Sequence, residues 1–140
     1  MAAIVLSALL VAFADAPATL DKANEFAADL AADLSSDRAD QFLRHFSKEM
    51  SGYGSLEDNV EAMLRASDVS TSLEIREFKA TAKGFTATID WYLEMKRRQG
   101  DSQLETQRRR ELITVEVEKQ GRRWRITKLD PASFFQPPGA

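Results

Sequence analysis

Apolar residues recur every third or fourth position up to about residue 66 and every second position beyond it. That is a switch from the period of a helix to the period of a strand. Phe26, Leu30 and Leu34 stand four apart with Ala27 and Ala31 beside them, so one face of a first helix is apolar. Thr19 is placed to cap it, and Asp21 and Glu25 sit where the helix dipole favours negative charge. Ser35-Ser36-Asp37 predicts a break. Ala39, Phe42, Leu43 and Phe46 then form the apolar stripe of a second helix, opposite Arg38, Gln41, Arg44 and Lys48. Gly52-Tyr53-Gly54 is a strong breaker. Ser55-Leu56-Glu57-Asp58 has the form of a capping box, which predicts a third helix to about Ala66 with Leu56, Val60, Met63 and Leu64 inward.

The alternation begins near Thr71, where Leu73 and Ile75 interleave with Ser72, Glu74 and Arg76. Lys83-Gly84 marks a turn. Phe85, Ala87, Ile89, Trp91, Leu93 and Met95 then make an unbroken odd-numbered apolar row, the clearest half-buried strand in the chain. Gln99 to Ser102 reads as a loop. A third strand from about 105 to 119 turns Ile113, Val115 and Val117 inward. Gln120-Gly121 is a hairpin signal. A fourth strand carries Trp124 and Ile126 on one face and Arg123, Arg125 and Thr127 on the other, and Pro131 ends it. Helices followed by a run of strands is an α+β order. The expectation is three N-terminal helices packed in the concave face of a curved, mainly antiparallel four-stranded sheet.

With 140 residues, the chain is long enough for one domain with its own core. That domain is assigned to residues 17–136, with 137–140 a loose tail. Ala2 to Ala14 is an apolar run broken only by Ser7 and followed by Ala14-Asp15-Ala16. It is shorter than the roughly 20 residues a spanning helix needs. Residues 1–16 therefore read as a secretory signal, although no Lys or Arg precedes the run. This predicts a periplasmic or secreted protein that meets a membrane only through an uncleaved N-terminus.

Cysteine is absent and His45 is the single histidine. Disulfides, thiol chemistry and a multi-histidine metal site are excluded within one chain, and no metal or cofactor is expected. Residues 96–128 hold eleven Lys/Arg against five Asp/Glu, while the remainder holds eight against seventeen. The basic stretch could attract an anionic partner, or could simply be a solvated strand surface protected against edge pairing. No nucleic-acid motif accompanies it, and no nucleic-acid partner is expected.

The strand Phe85–Met95 and the closing hairpin Ile113–Val117 … Gly121-Arg-Arg-Trp124-Arg-Ile126, with Asp130-Pro131 after it, resemble the nuclear transport factor 2-like superfamily, also called the cystatin-like or SnoaL-like cone. The resemblance spans about Thr19 to Phe135. It implies a cavity between sheet and helices, and it covers isomerases, dehydratases, polyketide cyclases and binding modules without chemistry. The isomerases' carboxylate base and their Tyr plus protonated-Asp pair have no counterpart in these positions. Asp90 lies on the row opposite Trp91 and should face outward. Of the dehydratases' groups only His45 and Tyr53 have candidates.

His45 sits at the edge of the second helix's stripe, as an acid–base group or a boundary residue. Tyr53 could overhang the cavity mouth. Arg109 and Glu111 share the parity of Ile113, so they line a polar mouth unless a bulge near Arg110 turns them outward. Trp91, Trp124, Phe134 and Phe135 could wall an apolar pocket or be plain core. The residues expected to bind ligand are Tyr53, Trp91, Arg109, Glu111, Trp124 and Phe134, and no residue is assigned a catalytic role. The expected function is non-catalytic binding of a small apolar or anionic ligand, or an interaction role. The alternative is a cofactor-independent isomerase, dehydratase or cyclase using His45 and Tyr53. The outward row from Thr86 to Glu94 is the expected face of a homodimer.

Overall fold

The computed structural model describes residues 17–98 and 106–137. The expected signal at 1–16, the loop at 99–102 and positions 138–140 lie outside them. Three helices come first: α1 (Leu20–Ser35), α2 (Ala39–Leu43) and α3 (Tyr53–Ala66). Four strands follow: β1 (Ser67–Ala80), β2 (Gly84–Arg97), β3 (Thr106–Gln120) and β4 (Arg123–Asp130), and a 3-10 turn covers Ala132–Phe135. The strands form one curved antiparallel sheet in chain order, as the α+β pattern predicts. No described helix is long and apolar enough to cross a membrane.

Helix α1 starts where expected, with the Lys22 N–H donating to Thr19 Oγ1 at 3.3 Å. Its buried face is Ala23, Ala27, Leu30 and Leu34, and it packs on β1. The second helix is shorter than its stripe suggests. It ends at Leu43 because the chain turns extended to reach the sheet edge. There Ser47 N–H donates to Ile126 O at 2.9 Å and Ile126 N–H to His45 O at 2.7 Å, a parallel bridge centred on Phe46. Tertiary pairing overrides the helical period. Helix α3 begins at Tyr53, two residues before the predicted capping box. Gly52 is its cap residue, at φ +82°, a left-handed conformation that suits glycine.

Strand β2 buries its whole odd-numbered row from Phe85 to Met95. Gly84 begins it because a Cβ there would lie 2.0 Å from Val117 O. Strand β1 starts at Ser67, four residues earlier than the alternation suggested, directly from α3. Two bulges shift the inward row. Arg76 is the extra residue opposite β2, so Leu73 and Ile75 share their face with Phe78. Thr127 is the extra residue opposite β3, so Ile126 and Leu129 are both buried despite opposite parity. Such bulges bend and twist the strands that carry them. The register of β3 on β2 runs unbroken from Thr106 to Glu118, so the bulge considered near Arg110 does not exist.

Candidate functional site

The concave side holds two aromatic groups. Around Trp91, which is wholly buried, stand Phe42, Phe134 and Phe135, with ring centroids 6.4, 6.2 and 5.0 Å away, and Phe46 lies 5.2 Å from Phe42. The Trp91 indole N–H donates to Thr71 Oγ1 at 2.8 Å, and that hydroxyl donates to Tyr92 O at 2.6 Å. Every polar atom that this ring brings inside is thus satisfied. The second group is Phe26, Phe78, Phe85 and Trp124, linked through Phe85 at 5.5 to 6.1 Å. Trp124 is only half-buried, and the Lys119 ammonium stands 6.0 Å from its ring.

Phe134 and Phe135 come from the 3-10 turn after Asp130-Pro131, and Arg109 holds that turn in place. Opposite Leu93 in the ladder, Arg109 has inward parity. Its guanidinium donates to Phe134 O at 2.8 Å, and also to the carbonyls of Gln136 and Pro137. Burial pulls its pKa below the ordinary arginine value. Glu111, opposite Trp91 in the same ladder, is exposed. The two residues of equal parity therefore end differently: one fastens the C-terminal segment and the other meets water.

His45 and Tyr53 face different surroundings. His45 Nε2 lies 2.9 Å from Asp33 Oδ2, with both side chains mostly buried, and the edge of Phe26 covers the ring at 5.5 Å. Asp33 comes from the last turns of α1, twelve residues before His45. A carboxylate so placed fixes the imidazole's orientation. Tyr53 instead lines a groove of about 650 Å³ between the 44–53 segment and the β3–β4 hairpin. Burial, then Glu57, Glu61 and Asp40, raise the pKa of its phenol, which stays protonated at neutral pH. The same groove is edged by Arg44, Lys48, Arg123 and Arg125.

The convex face has its own centre. Asp90 does face outward, as its parity predicts, and accepts from Arg110 Nε at 3.0 Å and from both Arg110 and Arg76 at 2.8 Å. The Arg110 contact first, then Arg76, holds its carboxyl well below the usual range. Tyr92 O–H donates to Glu94 at 2.8 Å, and Leu112 is exposed on this face. Elsewhere Arg98 bridges Asp37 and Asp68, Arg108 faces Glu94 and Lys128 faces Glu116. Much of the basic stretch is thus neutralised locally. Among the described residues, no group of three or more acidic or histidine side chains is placed to hold a metal ion.

No protein-family model matches the chain, and no curated protein matches it either. Solved structures match its fold. A protein of unknown function from Mycobacterium tuberculosis superposes with a TM-score of 0.61 at 10% identity, over 76% of this chain and 66% of the other, so this chain spans just under two thirds of that length. The hexachlorocyclohexane dehydrochlorinase LinA-type3 from Novosphingobium barchaimii gives 0.55 at 14%, over 76% and 80%. An NTF-2-like protein of unknown function from Shewanella oneidensis gives 0.51 at 15%, over 78% and 94%. At such identities the shared property is the backbone arrangement alone.

Proposed function

Because this chain has the nuclear transport factor 2-like fold, we propose that it is a non-catalytic small-ligand-binding or interaction domain whose apolar ligand lodges between sheet and helices. The observation that carries the reading is the aromatic set around Trp91, two of whose rings belong to a 3-10 turn that Arg109 holds through the Phe134, Gln136 and Pro137 carbonyls. An apolar molecule entering there replaces Phe134 and Phe135 against Trp91, ring for ring. The acid–base candidates do not share that space. His45 turns to Asp33 and Phe26, and Tyr53 turns to the groove.

The test is fluorescence titration with N-phenyl-1-naphthylamine. Wild type should bind the probe, and Phe134→Ala with Phe135→Ala should bind it more tightly. Binding by neither protein removes the reading.

A second reading rests on the Asp33–His45 contact: an acid–base pair for a cofactor-independent elimination or isomerisation. The dehydrochlorinase of like fold supports it. Wild type should then eliminate chloride from a chlorinated cyclohexane, and His45→Ala should not. Equal, uncatalysed rates would end it. An exported compartment is proposed on the apolar run of residues 1–16, and a mature mass beginning near Pro17 is the expected outcome. The convex face, with Leu112 exposed beside Asp90, is proposed as a homodimer interface. Leu112→Glu should then shift sedimentation toward monomer, and an unchanged sedimentation coefficient would count against it.

A further inference from the structure

The groove that Tyr53 lines is separate from the aromatic interior, and it gathers basic and acidic side chains from two segments. Five arginines outside the groove are answered within the fold: Arg76 and Arg110 by Asp90, Arg98 by Asp37 and Asp68, Arg108 by Glu94, Arg109 by backbone carbonyls. In the groove, Arg44, Lys48 and Arg123 have no ion-pair partner among the described residues, and Arg125 donates only to the Arg44 carbonyl at 3.3 Å. Carboxylates are nearby. Asp40 and Glu57 edge the same groove and, with Glu61, act on the Tyr53 phenol. Among the described residues no ion pair joins these acids to the groove's basic residues.

The groove is also held in shape. Its floor includes Phe46 and Ser47, which the parallel bridge to Ile126 pins at 2.7 and 2.9 Å. Ser47 is 5% exposed, and its hydroxyl accepts from the Glu49 N–H and, at 3.4 Å, from Gln120 Nε2. The groove's basic residues thus come from two segments some 80 residues apart in sequence, Arg44 with Lys48 and Arg123 with Arg125, while its acids, Asp40, Glu49 and Glu57, lie in the first segment alone. The volume of about 650 Å³ is that of a small-molecule site.

We propose that this groove binds a small organic anion, carboxylate or phosphate, that also carries a hydroxyl or ammonium donor. The anionic end lies against Arg44, Arg123 and Arg125, where guanidinium groups make charge-assisted, paired hydrogen bonds. The donor end meets Asp40 and Glu57, with the protonated Tyr53 hydroxyl beside them. A plain anion gains only the first wall, and a plain cation only the second. A two-ended ligand gains both, which is how such a site selects.

The test is a nuclear magnetic resonance titration of the whole chain with O-phosphoserine and, separately, inorganic phosphate. Amide shifts should cluster at residues 44–53 and 120–125 with O-phosphoserine. Arg123→Gln with Arg125→Gln should weaken it about tenfold, with an unchanged circular dichroism spectrum showing that the fold persists. Asp40→Asn with Glu57→Gln should weaken O-phosphoserine but leave inorganic phosphate as it was. Raising salt should weaken both ligands, since the groove is open to solvent. Shifts outside the groove, or unchanged affinity in the arginine variant, overturn the site. Unchanged O-phosphoserine affinity in the acidic-wall variant overturns the two-ended ligand. Probe binding in the aromatic interior is unaffected by these substitutions, so the two readings fail independently.

Discussion

Two tryptophans on the same concave face have different fates. Trp91 stands in the middle of β2, has strands on both sides, and is closed over by rings from α2 and from the 3-10 turn. Trp124 stands one residue into β4, at the sheet's edge beside the β3–β4 turn, and is half-buried. Alternation assigns both residues to the inward row. What differs is the number of layers above them, and that is decided by elements far away in sequence. Parity tells which way a side chain points, whereas burial depends on what arrives to cover it.

Trp91→Ala should have the largest effect, about 3–5 kcal/mol, because the cavity would be walled by rings already packed on several sides. Chemical denaturation measures it, and a loss below about 1 kcal/mol would show that the interior collapses freely. Next comes Arg109→Ala, expected to cost about 1–3 kcal/mol by leaving part-buried carbonyls without their charged donor. Hydrogen exchange at residues 132–137 should accelerate in that variant, and unchanged exchange would mean that the rings alone hold the turn.

Trp124→Ala should cost about 1–2 kcal/mol, less than a fully buried indole would. Equality with Trp91→Ala would erase the contrast between the two positions. Thr71→Val keeps the branched shape and removes the acceptor of the Trp91 N–H, for about 1 kcal/mol.

The smallest effect is pH-dependent and belongs to the convex face, away from both indoles. Asp90 has a lower pKa folded than unfolded. Its contribution is therefore complete above the unfolded carboxylate value of about 4 and is lost as pH falls toward the folded value. Asp90→Asn should lower Tm at neutral pH, and the gap to wild type should narrow on acidification. A gap independent of pH would mean that the Arg76–Asp90–Arg110 cluster contributes nothing through its charge.

The candidate site was legible in pieces. Parity places Trp91 inward, and places Arg109 inward unless a bulge near Arg110 turns it out; the unbroken register leaves Arg109 on the inward row. That Arg109 grips the carbonyls of its own C-terminal segment was not legible, because it joins residues 25 to 28 positions apart. Likewise, His45 was visible as a boundary residue but its partner Asp33 was not. The pair forms across the α1–α2 corner, and nothing in local periodicity brings those two side chains together. The basic wall of the groove was visible only as a charge excess. Which arginines are neutralised and which are left unpaired depends on strand register.

By itself the sequence determined the order of helices and strands, the inward row of β2, the first helix's cap and the α+β class, because each depends on residues within one or two turns of one another. The tertiary structure decided where α2 stops, where the bulges at Arg76 and Thr127 shift the inward row, which tryptophan is covered and which charges are left without partners. Those outcomes depend on packing and pairing between distant segments. Their energies outweigh the fraction of a kcal/mol per residue that local preference supplies.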